Sequence, residues 1–349
     1  MKILINVPDI KHINGGVTNH YKGLMPYWTE NVHYNYIGKR REGGNGKYWL
    51  LYDIIKFVFR ILFWKPDVIL LNPSLNKSAV IRDSIFFKIA IVLRVKVSVM
   101  FHGWSYDYAE KINKEKFCCL FNHAKCIFVL ARDFKEQLLS WGINIPIILT
   151  TTKVDDRMIL YYDVKKRLGD VTNFLFLGRI VVEKGIYETL DTFRKIVATY
   201  PNSRLKVVGN GSDFEYMNEY VKAHKIPNVD IAGNLNGRKL IDAFKESDFY
   251  IFPTAHAEGM PTSLLEAMAF GLPVLTRPVG GIKDFFENGK MGIITESKDP
   301  DEYYKFICDM ISNKQKVLEI SRYNHQYAID HFLASSVARR MENTLRKYF

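Results

Sequence analysis

Phe174-Leu175-Phe176-Leu177-Gly178-Arg179-Ile180-Val181-Val182-Glu183-Lys184-Gly185-Ile186 begins with four apolar residues in a row and breaks at a glycine. A strand with one wet face alternates apolar and polar residues. This run does not alternate, so helices must cover both of its faces. The Gly178-Arg179 turn ends the strand, and Lys184-Gly185 stands where a helix begins. Val68-Ile69-Leu70-Leu71 repeats the pattern in the first half of the chain. Working outward, strands are expected over Lys2–Val7, His33–Ile37, Asp67–Asn72, Lys96–His102, Lys125–Leu130 and Ile145–Thr150. A second series covers Asn173–Gly178, Leu205–Gly209, Val229–Gly233, Asp248–Pro253, Pro273–Thr276 and Gly292–Thr295. Helical patterns separate them, which implies parallel sheets. Two series imply two doubly wound domains, each with its crevice at the carboxyl ends of the strands. The expected division is 1–155, then 156–330, with a last helix in 331–349 packing back on the first domain.

Bulk properties agree with two domains. A chain of 349 residues is too long for one ordinary core. Its 48% apolar and 25% charged residues are those of a soluble globular protein. The net charge of +12 is unevenly spread: residues 1–150 hold 21 Lys and Arg against 11 Asp and Glu. A basic half beside a near-neutral half points to an anionic partner of the first half, or to a solvated basic surface. A nucleic acid is disfavoured because no recognised binding module appears. Cys118, Cys119, Cys126 and Cys308 form no C-x-x-C pair and read as free thiols in a reducing compartment. The first apolar run is too short for a signal peptide, so a cytoplasmic protein is expected. Three charges interrupt the apolar, aromatic segment from Tyr48 to Trp64, which makes it a poor membrane span. Asp53, Lys56 and Arg60 share one helical face. The segment reads as a helix packed on a sheet, or as one touching a membrane interface.

Four stretches carry chemistry. In Phe252–Pro273, a strand ends at Pro253, Pro261 suits the first turn of a helix, and Gly271 suits its end. The unpaired amides around Met260 to Ser263 make an anion site. Glu258 and Glu266 flank it, and a carboxylate can accept from two vicinal hydroxyls. Spacing alone fits ordinary acids near a helix start equally well. Arg179 and Lys184 could converge on a diphosphate, which gains charge as a sugar bond breaks. No Asp-x-Asp is present to hold a metal. Gly209-Asn210-Gly211 and Gly15-Gly16 each follow a strand and let backbone approach a ligand. His102-Gly103 closes a strand and should face the crevice, where a histidine serves structure or proton movement.

Taken together, these motifs resemble glycosyltransferase family 4 (group 1 glycosyltransferases), retaining enzymes of GT-B fold. The matching residues are Gly15-Gly16-Val17, His102-Gly103, Gly178-Arg179 with Glu183-Lys184-Gly185, Gly209-x-Gly211 and Glu258-x7-Glu266. The resemblance implies an α/β fold of two Rossmann-like domains facing a central cleft. It implies that Arg179 and Lys184 bind the donor diphosphate and that Glu258 faces the transferred sugar. The amides of Gly259, Met260, Thr262 and Ser263, with Pro261 between them, would hold sugar and phosphate. Glu266 would bind the ribose, His102 would contact the sugar near the reacting carbon, and Gly16 would bring an amide near the phosphates. Gly178, Gly209 and Gly211 would line the donor site, with the base near Ala232–Leu235. Such enzymes usually need no bound metal or other cofactor. One departure is Thr151-Thr152-Lys153-Val154-Asp155, where the family often carries an Asn-Gly-Val-Asp-like turn; no binding role is given to it.

The expected activity is therefore retaining transfer of a hexose-type sugar from a nucleotide-sugar, a UDP or GDP derivative, to a saccharide hydroxyl. The basic first half suits a lipid-linked acceptor in bacterial surface polysaccharide biosynthesis, on the inner face of the plasma membrane. Two other classes fit the same residues: a nucleotide-sugar epimerase of like build, and a non-catalytic nucleotide-sugar-binding relative. A dehydrogenase is disfavoured, since no Gly-x-Gly-x-x-Gly follows the first strand.

Overall fold

A computed structural model describes residues 1–11, 15–40, 45–256 and 259–349. The chain divides into two compact units. Unit 1 holds Met1–Asp155, Ala257–Met260 and Leu333–Phe349; unit 2 holds Asp156–His256 and Pro261–Phe332.

Unit 1 contains β1 (Lys2–Pro8), β2 (Asn31–Ile37), β3 (Val68–Leu71), β4 (Lys96–Phe101), β5 (Ile127–Val129) and β6 (Ile147–Leu149). They form one parallel sheet in the order β2-β1-β3-β4-β5-β6. Its helices are α1 (Gly16–Leu24), α2 (Leu50–Trp64), α3 (Lys77–Val92), α4 (Tyr106–Lys111), α5 (Lys114–Phe121) and α6 (Arg132–Trp141). Strands β3 and β5 are buried along their whole length, as runs covered on both faces must be. Phe86, Phe87, Phe101, Phe121 and Phe134 pack the core with ring contacts between 4.2 and 6.0 Å involving Phe57, Phe117 and Trp104 as well.

Unit 2 contains α7 (Asp156–Ile159), α8 (Ile186–Thr199), α9 (Phe214–Ala223), α10 (Arg238–Glu246), α11 (Thr262–Ala269), α12 (Ile282–Phe285), α13 (Pro300–Ser312) and α14 (Lys314–Phe332). Its strands are β7 (Asn173–Leu177), β8 (Arg204–Val208), β9 (Val229–Gly233), β10 (Phe249–Phe252), β11 (Val274–Thr276) and β12 (Gly292–Ile294). The parallel order is β12-β11-β10-β7-β8-β9. The strand order reverses between β1 and β3 in unit 1 and between β7 and β10 in unit 2. In open α/β sheets, ligands bind at the carboxyl ends of the strands at such reversals. The last helix, α15 (Ala334–Tyr348), belongs to unit 1. Its buried Glu342 accepts the Thr29 amide at 2.7 Å, the Glu30 amide at 2.8 Å and the Thr29 hydroxyl at 2.6 Å.

Helix α2 is inside out for a charged surface helix. Asp53 is buried, accepts the Gly38 amide at 2.8 Å and pairs with Arg40. Lys56 and Arg60 reach back to the carbonyls of Tyr36 and Tyr34. The charged face therefore lies on β2 and its following loop. Leu51, Tyr52, Ile55, Phe59, Leu62 and Phe63 are exposed, with Leu51 70% and Phe63 77% open to solvent. No helix among the described residues is long and apolar enough to cross a membrane.

Candidate active site

In unit 2 the candidate residues gather at the β7/β10 reversal. Gly178 and Arg179 follow β7 directly. Arg179 is exposed; its carbonyl accepts the Val181 amide at 3.0 Å, and its guanidinium makes no hydrogen bond or ion pair with the described residues. Lys184 is half-buried, with its ammonium 5.7 Å from the ring centroid of Phe252, the last residue of β10. The Glu183 carbonyl accepts the Ala255 amide at 2.8 Å and the His256 amide at 2.9 Å. The backbone beside Lys184 is thus tied to the loop after β10. Among the described residues no cluster of His, Cys, Asp and Glu is suited to a metal.

Gly209 and Gly211 have a use that spacing alone did not disclose. A Cβ on Gly209, at φ 140°, would stand 1.9 Å from the Gly178 carbonyl oxygen. One on Gly211 would stand 2.1 Å from that of Ile180. Ile180 also donates its amide to Asn210 at 3.1 Å. These glycines let the turn after β8 lie flat against the turn after β7, which holds Arg179 in place.

Helix α11 starts one residue later than Pro261 as a first-turn residue would require, because Pro261 is its N-cap. No side chain caps the end and its first turn has no acid. The Leu264 amide bonds the Pro261 carbonyl at 3.1 Å, which leaves Thr262 and Ser263 amides without helical acceptors. The Tyr250 hydroxyl lies 2.9 Å from the Leu177 carbonyl and 2.8 Å from Ser263 Oγ. That chain ties the first turn of α11 to the end of β7. Glu266, in the second turn, is buried. Glu258 and Ala257 lie outside the described residues.

The glycine-rich run before α11 is divided. Gly259 and Met260 pack with unit 1, whereas Pro261, Thr262 and Ser263 belong to unit 2. A Cβ on Gly259 would meet Leu130 Cδ1 at 2.8 Å and the His102 carbonyl at 3.0 Å. The Met260 carbonyl accepts the Thr152 hydroxyl at 3.1 Å.

In unit 1, Gly16 opens α1, is exposed, and has open space where a Cβ would stand. Gly15 offers no side-chain cap, and the first amides of α1 have no acceptor among the described residues. His102 follows β4, and its Nε2 lies 3.0 Å from Asn72 Oδ1. Burial lowers its pKa from 6.5 to about 3. His20, on α1, is fully buried with both ring nitrogens unpartnered. Burial, then His102, then Lys153 push its pKa well below 6.5. The two rings are 5.2 Å apart, edge to face. Lys153 is 5% exposed, and its side chain crosses α1 so closely that a Cβ on Gly23 would stand 2.1 Å from its Cε.

Sequence reasoning passed over Asn72, Tyr21, His20 and Lys153. Asn72 had a signal: a lone amide at the end of the buried run Val68–Leu71, at a sheet reversal. Lys153 had one as well, since it occupies the linker turn that departs from the family pattern.

Residues 163–327, which contain every unit 2 candidate, match the family described as glycosyl transferases group 1. The chain is 28% identical over 213 residues to the capsular polysaccharide biosynthesis glycosyltransferase CapM of Staphylococcus aureus, covering 60% of this chain and 54% of CapM. It is 28% identical over 183 residues to spore coat protein SA of Bacillus subtilis, covering 50% and 48% of the two chains. The matched region thus spans about half the length of these curated relatives. Among solved structures, Anabaena HepE in complex with UDP superposes with a TM-score of 0.77 at 16% identity, over 99% of this chain and 100% of that one. Sucrose-phosphate synthase of Thermosynechococcus elongatus gives 0.73 at 15%, over 99% and 98%. The chain has the α/β, two-domain GT-B fold of these proteins.

Proposed function

We propose that this protein is a retaining, metal-independent glycosyltransferase. It moves a hexose-type sugar from a nucleoside-diphosphate sugar to a hydroxyl of a saccharide acceptor. The observation that carries the reading is the β7/β10 reversal of unit 2, where Arg179, Lys184, the uncapped start of α11 and buried Glu266 all occur within the region matching group 1 glycosyltransferases. Arg179 and Lys184 hold the diphosphate, and the amides of Thr262 and Ser263 add to that grip. Fixed cations stabilise the departing nucleoside diphosphate more than the bound donor, which is what raises a rate. Glu266 takes the ribose hydroxyls, Glu258 and His102 the transferred sugar, and Gly16 brings an amide to a phosphate. The base lies near Gly209–Gly211 and Ala232–Leu235. UDP in the HepE complex favours UDP as the carrier. The capsular role in the name of CapM favours surface polysaccharide as the product.

The acceptor in this reading is lipid-linked, and the protein is cytoplasmic and peripheral on an anionic membrane. The outward face of α2 supports that part: a row of aromatic and aliphatic side chains on the basic half of the chain.

Turnover should fall by on the order of a hundredfold in Lys184→Ala and in Glu258→Ala, measured as UDP release beside calorimetric UDP binding. Wild-type turnover in both variants would refute the site. The anomeric configuration of early product by NMR tests retention; an inverted product refutes it.

A further inference from the structure

Asn72 follows β3, the strand beside β1 at the reversal of the unit 1 sheet, and is 3% exposed. All four of its hydrogen-bonding positions are in use. Nδ2 donates to the Asn6 carbonyl at 3.0 Å and to the Leu70 carbonyl at 3.1 Å. Oδ1 accepts the Tyr21 hydroxyl at 2.5 Å and lies 3.0 Å from His102 Nε2. Exchanging the amide oxygen and nitrogen would aim an oxygen at two carbonyls, so the orientation is determined by its partners. An amide oxygen has no proton to give. His102 Nε2 must therefore carry the proton of this bond.

A neutral imidazole protonated at Nε2 keeps a bare lone pair at Nδ1. His102 Nδ1 has no hydrogen-bond partner among the described residues. The neighbouring rings do not compete for it: His20 and Tyr21 meet His102 edge to face, at 5.2 and 5.7 Å between centroids.

From this geometry we propose that Asn72 is a positioning residue that locks His102 in the Nε2–H tautomer. His102 then meets its ligand only as a hydrogen-bond acceptor, at Nδ1. Its partner is a hydroxyl group, the chemical class that can donate there, and not a phosphate or carboxylate oxygen. Burial of the ring opposes a second proton, which would turn Nδ1 into a donor. Tyr21 completes the lock by filling the second lone pair of Oδ1. This deepens the function proposed above and rests on it where it has His102 meet the sugar. It excludes a role in which His102 donates to the leaving diphosphate.

Long-range proton–nitrogen imidazole spectra of the labelled full-length protein test the assignment, with the His102 signals identified by their loss in His102→Gln. Nε2 should be protonated and Nδ1 bare, and UDP-glucose should move the Nδ1 signal. Asn72→Leu should give a mixture of tautomers and lower kcat with UDP-glucose by on the order of tenfold or more, with KM little changed. Asn72→Asp keeps an acceptor facing Nε2 and should keep the proton there, at a cost in stability from the oxygen it turns toward the Asn6 and Leu70 carbonyls. A protonated Nδ1 in the wild-type protein overturns the proposal, as does an unmixed tautomer with unchanged kcat in Asn72→Leu. If Asn72→Leu does not fold, the wild-type and Asn72→Asp spectra still decide. Calorimetric UDP binding in the same samples separates the two readings. A protein that neither binds UDP nor turns over refutes the transferase reading, while the tautomer remains a direct observation.

Discussion

His102 and His20 show how little of a residue's role lies in its identity. Both are histidines next to a crevice, and in both desolvation disfavours the charged ring and lowers the pKa below the ordinary 6.5. This has a consequence for stability. Their folded pKa values lie below the ordinary 6.5, so the unfolded chain takes up protons first as the pH falls. The contribution of the neutral His102 ring is complete above about pH 6.5 and is lost through the window from there down toward about pH 3. Each such histidine costs at most about 1.4 kcal/mol per pH unit in that window. His102→Gln keeps an amide nitrogen to bond Asn72 but removes one titration. Its unfolding free energy should fall less steeply between about pH 6 and 5 than that of the wild type. Equal slopes in chemical denaturation would show that the His102 ring is not desolvated in solution.

At the level of elements, the strands were legible and the orientation of α2 was not. Each expected strand has a counterpart, and central ones such as β3 and β10 are continuous apolar runs, as parallel strands covered on both faces must be. The charges of α2 could be put on one helical face from their spacing. Which way that face turns depends on partners distant in sequence: Arg40 and the Gly38 amide for Asp53, and the β2 carbonyls for Lys56 and Arg60. The same limit hid the lock on His102, since Asn72 is joined to Tyr21 and His102 only by the sheet order. The motif glycines were legible as glycines, but Gly209 and Gly211 mainly serve the neighbouring turn. The outward face of α2 makes a prediction at this scale. Replacing Leu51, Phe59 and Phe63 together by serine removes exposed apolar surface and no core contact. The thermal midpoint should move little, while sedimentation with vesicles containing phosphatidylglycerol should fall several-fold at low salt. Undiminished vesicle binding would leave the docking role without support.

The whole molecule consists of two units, each with its own six-stranded sheet and apolar core. The proposed diphosphate grip, from Arg179 to Glu266, rests on elements of unit 2: the turns after β7 and β8, the loop after β10 and the first turns of α11. A nucleotide that binds the native form stabilises it by mass action, by about 2.7 kcal/mol at a hundredfold excess over Kd. That gain should be distributed according to where the ligand's contacts lie. Amide hydrogen exchange with and without UDP can read it strand by strand. Protection should rise most in β7, β8, β10 and the start of α11. The β3, β4 and β5 amides of unit 1 serve as the internal reference and should gain less. Equal protection of both sheets would mean that the nucleotide does not stabilise unit 2 selectively, and no protection at the start of α11 would remove the anion site from the grip.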